Sequence, residues 1–287
     1  MAMKPVMSET PSVMLAKVIG LAETDDNVAA IGVEGSLNNP TAVKDAWQDL
    51  DVTLFVHQVR PTLAQPYLAL FGTPTIVQHL HEPGLFGGGD EYWETFLTRY
   101  PGTQRMDLKL APASVVQAYL DDDQLNAIVW RRGSGRITPR PTSAASHWLA
   151  IPRQAEFAAH VNEFYWIAGY VVKGLARGNL IYAAEHFAQN LRPELLWLLA
   201  CQETLARHGQ FDPGVHDKNL WPVLPDAVRG ELMATYNLHD DAAIRQSLKT
   251  AVALYGSVLA EITRSDPLQK PAWVPRAVEQ IESWLAK

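Results

Sequence analysis

Residues 34–56, "EGSLNNPTAVKDAWQDLDVTLFV", join a Gly-Ser pair to a stretch that opens with two alternating aspartates. From residue 49 onward the side chains alternate, with the two-residue period of a strand that buries one face. Asp49 and Asp51 therefore share a face, about 7 Å apart along the chain. The opposite face carries only apolar side chains, which are Leu50, Val52, Leu54 and Val56. The pattern predicts a strand that presents two carboxylates at its start.

Paired carboxylates suit Mg²⁺, which usually binds one or two protein carboxylates together with the phosphates of a substrate. Upstream, "NVAAIGVEG" predicts a buried strand that ends at Gly35 and Ser36. A Gly-Ser turn after a strand offers backbone N–H groups and a hydroxyl to phosphate oxygens. The alternatives are a solvated strand start and an ordinary N-cap serine. The turn and the aspartate pair together favour a site for a metal and a phosphate.

A third carboxylate lies in "QRMDLKL", residues 104–110. The alternation of this strand candidate places Asp107 on one face with Arg105 and Lys109, opposite three apolar side chains. A buried carboxylate without a partner is costly. One explanation is a salt bridge to Arg105. The other is that Asp107 pairs across strands with Asp49 and Asp51 around two metal ions.

The character of the chain changes near residue 150. Before it, strand patterns such as "TPTIVQHL" and "RMDLKLAP" mix with helix patterns such as "ASVVQAYLDDDQL", and "NAIVWRRGSGRI" predicts a hairpin. A segment rich in Pro, Ser and Thr follows, and beyond it the patterns are helical. These helical stretches are residues 154–178, 180–209, 241–265 and 275–287. The sequence predicts an α/β (α+β) domain with a mixed sheet over residues 1–150, followed by an all-α helical bundle domain over residues 151–287.

Composition limits the kinds of partner. The formal charge of −7 argues against nucleic-acid binding and suits a cationic ligand. Cys201 is the only cysteine, which excludes an intrachain disulfide and a zinc site built from several cysteines. The sequence shows no signal-like apolar start and no uninterrupted apolar run of about 18 residues. We therefore expect a cytoplasmic protein without membrane contact; its oligomeric state is left open, with a monomer favoured.

These motifs resemble one family. "GSLNNPTAVKDAWQDLDVTLFV" resembles the nucleotidyltransferase motif, in particular that of the aminoglycoside 6-adenylyltransferases, the streptomycin-modifying enzymes. "QRMDLKL" resembles their third-carboxylate strand, and "NEFYWIAGYVVKGLARGNLIYAAEHFAQNLRPELLWLLA" resembles the core of their helical domain. The resemblance covers roughly residues 15–265. One position departs from it, because Leu37 follows the Gly-Ser pair where the family usually has Arg.

The resemblance implies transfer of AMP from ATP to a hydroxyl of a streptomycin-like aminoglycoside, with release of pyrophosphate and resistance to the antibiotic. Residues 1–150 would form the nucleotidyltransferase domain and residues 151–287 a substrate-binding domain. Two alternatives remain open. The acceptor could be a different small molecule or a protein, or the chain could be a catalytically lapsed homologue that only binds ligand.

The resemblance also implies roles for the motif residues. Asp49 and Asp51 would hold the Mg²⁺ ion that carries the triphosphate. Asp107 would bind a second Mg²⁺ ion and accept the proton of the acceptor hydroxyl. Gly35 and Ser36 would contact the terminal phosphates.

Basic side chains in the second half are candidates for the triphosphate. Lys173 and Arg177 are four residues apart, which places them on one face of a predicted helix. Lys218, in "HDKNL", is a third candidate. The alternative for all three is a solvated basic surface.

Acidic side chains are candidates for a polycationic sugar, because charge-assisted hydrogen bonds are the strong ones. The candidates are Glu91, Glu163, Glu185 and Glu194, with Asp90 and Glu94 beside them. Glu163 and Glu194 stand out because each precedes an aromatic or apolar run. The alternative is that most of these residues are ordinary surface charges.

Two further motifs are interpreted as loops. "QHLHEPG", with His79, His81 and Glu82, could mimic a metal site, but a histidine pair ahead of a Pro-Gly turn favours a loop entrance. "LFGGGDEY" lacks the Lys-Ser/Thr of a phosphate-binding P-loop and is predicted to be a mobile flap.

Overall fold

The computed structural model of the chain describes residues 9–83, 92–265 and 267–286. Two compact units make up the chain, residues 1–146 and residues 147–287. The first contains a mixed sheet with helices, and the described part of the second forms helices and their connections. The predicted fold class, an α/β (α+β) part with a mixed sheet followed by an all-α part, is confirmed. The functions predicted for the two parts stay predictions.

One mixed sheet of seven strands lies in the described part of the first unit. Its strands are β1 (Val28–Val33), β2 (Leu50–Val56), β3 (Ile76–Pro83), β4 (Tyr92–Arg99), β5 (Arg105–Pro112), β6 (Ala127–Arg131) and β7 (Gly135–Arg136). The order across the sheet is β3-β4-β5-β2-β1-β6-β7. β2 and β5 run parallel, and the other neighbouring pairs run antiparallel. The strand patterns that the sequence shows for β1, β2 and β5 are therefore confirmed.

The two faces of this sheet differ in polarity. The helices described in this unit are α1 (Pro11–Ala22), α2 (Ala64–Leu68) and α3 (Val116–Asp122). α1 and α2 pack against one face and bury the apolar side chains of β1, β2 and β5. On the other face α3 covers one end, where Tyr119 packs edge-on against Phe55. A Cβ at Gly32 would lie 2.8 Å from the Tyr119 hydroxyl, so glycine is needed there.

The strand pattern at residues 73–80 predicts β3 only in part, and the sequence analysis misses β4. β3 continues through His79 and His81, so the predicted loop entrance is wrong. β4 has no clear sequence signal, because Glu94 interrupts its apolar pattern. In the structure Glu94 is buried, 2.6 Å from Nε2 of His79 and 3.0 Å from Nδ1 of His81, and these partners offset the cost of its burial. The predicted flap around residues 87–89 lies outside the described residues.

The second unit is built around a helical core. Its longer helices are α4 (Gln154–Ala176), α5 (Leu180–His186), α6 (Arg192–Ala206), α7 (Asp226–Ala234), α8 (Asp241–Ser265) and α9 (Val274–Leu285). A π-helical turn, Phe187–Leu191, joins α5 to α6. The four predicted helical stretches are confirmed, and the short, charged α7 is an addition. None of the helices described has both the length and the apolar character needed to cross a membrane.

Candidate functional site

Three carboxylates meet on the polar part of the sheet face that α3 partly covers. β2 and β5 are parallel neighbours, and their register places Asp51 directly beside Asp107. Asp49 immediately precedes β2. Each of the three offers an oxygen atom within 4.8 Å of the others. In the described ranges no other trio of acidic, histidine or cysteine side chains brings its ligand atoms together in this way.

This set of donors fits a hard divalent cation. Carboxylate oxygens are the ligands that Mg²⁺ and Ca²⁺ prefer in proteins. The Asp107 side chain is 9% exposed and that of Asp49 25%, so water shields their mutual repulsion poorly. A divalent cation held by Asp49, Asp51 and Asp107 would relieve that repulsion. The predicted identity of the metal and the predicted number of ions stay predictions.

Burial and nearby like charges make Asp51 a much weaker acid than an ordinary aspartate. Burial raises the pKa of Asp51 from 3.8 to about 7, and the charges of Asp49 and Asp107 add to the rise. Lys109 acts in the opposite direction. Burial likewise raises the pKa of Asp107, although the hydrogen bond from Arg105 opposes it. The protein alone therefore tolerates the ionised cluster poorly.

We expect a specific pH dependence of stability when divalent cations are absent. Between about pH 4 and about pH 7 Asp51 keeps its proton in the folded protein, whereas the unfolded chain has released it. Its contribution to the free energy of unfolding is therefore full below about pH 4 and is lost as the pH rises through about 7. In EDTA the Tm of the wild type should fall more from about pH 5 to about pH 8 than that of Asp51→Asn. Equal falls in both proteins would contradict the assignment.

Gly35 brings the turn after β1 against the carboxylates. It begins a short 3₁₀ turn with Ser36 and Leu37. Gly35 has a φ of +63°, and a Cβ there would lie 2.7 Å from Oδ2 of Asp51. Only glycine permits this approach. Leu37 packs against the apolar core on the α1 side of the sheet. The family that the sequence resembles usually has Arg at this position.

A buried polar network lies beside Asp51, and the sequence pattern does not predict it. Nζ of Lys109 lies 2.5 Å from Oε2 of Glu34, and the buried Thr53 hydroxyl donates to the other oxygen of Glu34. Burial acts to lower the pKa of Lys109, but Glu34 and the nearby aspartates raise it above its usual value. The alternation in β5 already places Lys109 on the face of Asp107. Its partner could not be foreseen, because Glu34 lies 75 residues away in the chain.

A cavity of about 230 Å³ opens beside this network. Glu34, Asp51 and Lys109 line it, together with the aromatic residues Trp93 and Tyr119. Carboxylates and aromatic faces both attract cationic groups. The cavity therefore offers a cationic small molecule a place directly next to the carboxylate cluster.

Arg105 connects two members of the cluster. Its Nε donates to Oδ1 of Asp107 at 3.0 Å and its Nη2 to Oδ2 at 2.5 Å. Its Nη1 lies 3.4 Å from Oδ2 of Asp49. The structure thus contains both features weighed for Asp107, the salt bridge to Arg105 and the approach to Asp49 and Asp51. The metal-binding roles of the three aspartates stay predictions.

In the second unit the structure brings two of the three predicted cations together. Lys173 and Arg177 line a small cavity of about 70 Å³ with Asn179 and Tyr182. Lys218 is exposed, and it is not among the residues that line this cavity. The proposed contacts of all three with a triphosphate stay predictions.

The predicted acidic residues fall into different surroundings. Glu194 is half-buried, with Oε2 2.7 Å from Nδ1 of His160, whose ring stacks on Trp197. Burial raises the pKa of Glu194, and the charge of the nearby Glu163 adds to the rise. Glu163 therefore lies near enough to Glu194 for their charges to interact.

The remaining acidic candidates differ from this pair. Glu185 is exposed and accepts a hydrogen bond from Gln189. Glu94 is engaged by two histidines, as described above. Asp90 and Glu91 lie outside the described residues.

Comparison with known families gives one match over nearly the whole chain. The streptomycin adenylyltransferase family model matches residues 8–279. This range includes Asp49, Asp51 and Asp107 and most of both compact units.

Two named relatives agree with this match. The chain is 26% identical over 257 residues to an aminoglycoside 6-adenylyltransferase of Campylobacter jejuni, covering 89% of each chain. It is 28% identical over 248 residues to the Staphylococcus aureus protein of that name, covering 86% of this chain and 88% of that one. A crystal structure of an aminoglycoside 6-adenyltransferase from Bacillus subtilis aligns over 97% of this chain and all of that one, at 22% identity and a TM-score of 0.49.

Proposed function

The chain belongs to the streptomycin adenylyltransferase family and is a nucleotidyltransferase, and we propose that it transfers the adenylyl group of ATP to a hydroxyl of a streptomycin-like aminoglycoside. The carboxylate cluster of Asp49, Asp51 and Asp107 beside Gly35 carries this proposal. Phosphoryl and nucleotidyl transfer depend on positioning and on charge neutralisation, and these residues would supply both by holding a divalent cation against the phosphates. The aminoglycoside 6-adenylyltransferases among its relatives support the class of acceptor.

The proposed reaction is an in-line displacement at the α-phosphorus of ATP. The acceptor oxygen forms a bond to phosphorus, the bond to pyrophosphate breaks, and the hydroxyl proton passes to a base. Mg²⁺, with two ions in the site, would neutralise charge on the phosphate oxygens. Asp49 and Asp51 would hold the Mg²⁺ ion that carries the triphosphate. Asp107 would bind the second ion and accept the hydroxyl proton. The N–H groups at Gly35 and Ser36 would bind the terminal phosphates.

The acceptor proposal has its own support. The cavity beside Asp51 is also lined by Asp122 and Asp123, which adds negative charge next to the cluster. A cationic sugar in this cavity would bring a hydroxyl close to the aspartates. Within the helical unit, we propose separately that Glu163 and Glu194 bind a cationic group of a ligand. The modified drug would lose activity, so the enzyme would confer resistance.

Release of pyrophosphate tests donor and acceptor together. Wild-type enzyme with Mg²⁺ is offered ATP, GTP, CTP or UTP, each with streptomycin, with other aminoglycosides or without an acceptor. We expect release only with ATP and a streptomycin-like acceptor, with one adenylyl group added to the drug by mass spectrometry. Transfer from another nucleotide would overturn ATP as donor. No release with any aminoglycoside would overturn the acceptor class.

A further inference from the structure

Arg105 is bound to the proposed metal ligands themselves. Its guanidinium engages both oxygens of Asp107 and also approaches Asp49. A second basic group on this face, Lys109, is held by Glu34 instead. Among the described residues, Arg105 is therefore a cation that contacts the carboxylate cluster directly.

A guanidinium and a divalent cation compete for such carboxylates. The two positive charges repel each other at contact distance, most strongly where water is partly excluded. The N–H groups of Arg105 also use the oxygen lone pairs that a metal would take. Each cation therefore weakens the binding of the other.

We propose that Arg105 competes with the divalent cation for Asp49 and Asp107, and that the metal–nucleotide complex displaces it onto the triphosphate. This inference rests on the proposed function, because it takes a divalent cation and a nucleotide triphosphate as the ligands. It assigns Arg105 as the residue that couples metal binding to nucleotide binding. Displacement of Arg105 would also free Asp107 to accept the hydroxyl proton.

The position of Arg105 suits both roles. It is the first residue of β5, and its side chain is 32% exposed, so the guanidinium can turn from the cluster toward solvent. The planar guanidinium binds phosphate oxygens through two parallel hydrogen bonds, as it binds carboxylates. Once released from Asp107, it would face a ligand with several negative charges beside the same aspartates.

Binding of Mn²⁺ without nucleotide tests the competition directly. Mn²⁺ is titrated into full-length protein at about pH 8, and the free ion is measured by electron paramagnetic resonance. Arg105→Gln should bind Mn²⁺ more tightly than the wild type, on the order of tenfold, because the competing charge is gone. Arg99→Gln is the matched control, since Arg99 pairs with Arg105 across β4 and β5 and is exposed. It should change the affinity less than twofold, the size of a screened surface charge effect.

The nucleotide arm of the experiment separates displacement from simple repulsion. Arg105→Gln should raise the KM for ATP on the order of tenfold, as expected when a bidentate contact to phosphate is lost. Arg105→Lys keeps the positive charge without the planar guanidinium. Its KM for ATP should lie between those of the wild type and Arg105→Gln. Thermal unfolding of each variant shows that it is folded. A merely structural role for Arg105 would not make a variant bind metal more tightly.

The outcomes distinguish this inference from the proposed function. Unchanged or weaker Mn²⁺ binding in folded Arg105→Gln would overturn the inference, and the acceptor assay would still stand. Tighter binding of Mn²⁺ with an unchanged KM for ATP would overturn the displacement onto the triphosphate. Tighter binding with a raised KM supports the inference even if no aminoglycoside proves to be the acceptor. No Mn²⁺ binding by any of the proteins would overturn both proposals.

Discussion

Asp51→Asn should lower the turnover of adenylyl transfer at least about a thousandfold, because it removes a charged ligand from the centre of the carboxylate cluster. Asp51 lies beside Asp107 and against Gly35, so it connects the proposed metal ligands to the proposed phosphate-binding turn. The folded protein should persist. Asparagine has nearly the same shape as aspartate, and it removes a buried charge that costs stability above about pH 7. We expect kcat to collapse while the Tm, measured in EDTA at about pH 8, stays level or rises.

The matched control is Asp26→Asn. Asp26 is a fully exposed carboxylate near Arg132, before the first residue of β1. Its replacement changes the net charge by the same amount and should leave kcat and Tm nearly unchanged. Turnover by Asp51→Asn within tenfold of the wild type would contradict the metal-ligand role. A large loss in Asp26→Asn as well would show that net charge, and not the site, determines the rate.

The sequence predicts which side chains share a face of each strand. It does not predict which strands pair in the sheet. The alternation in residues 49–56 and 105–110 places Asp49, Asp51 and Asp107 on polar faces, as the structure has them. Their meeting depends on the parallel pairing of β2 with β5, which are separated in the chain by β3 and β4. The resemblance to a known motif predicts that the three carboxylates lie together, and the periodicity alone does not.

Buried charged groups mark where sequence reasoning stops. Glu94 makes β4 look solvent-exposed, yet it is buried because His79 and His81 lie on the neighbouring strand. Lys109 looks like a surface lysine, yet Glu34 pairs with it from the end of β1. In each case a partner from another part of the chain offsets the cost of burial, and no local pattern reveals that partner. The helices of the second unit could be predicted more fully, because their periodicity is local.

Gly35→Ala should reduce kcat/KM about a hundredfold, the effect expected when reacting groups shift by about 1 Å. The added Cβ would lie 2.7 Å from Oδ2 of Asp51, closer than such atoms approach in folded proteins. Either the turn or the carboxylate must move, and each shift alters the distance between the phosphate-binding turn and the metal ligands. Steady-state kinetics with ATP and streptomycin measure the loss, and Mn²⁺ titration shows whether the cluster itself is disturbed.

Gly133→Ala separates this crowding from backbone strain. Gly133 has a φ of +81°, in the same left-handed region as Gly35, but no atom lies within 4 Å of the place where its Cβ would go. Both substitutions should destabilise the protein by about 1 kcal/mol, the cost of a left-handed conformation for alanine, and the overlap with Asp51 should add to this cost at Gly35. Only Gly35→Ala should also lose activity, because only there does the methyl group meet a proposed metal ligand. Equal activity in the two variants would mean that the close approach of the turn to Asp51 has no role in catalysis.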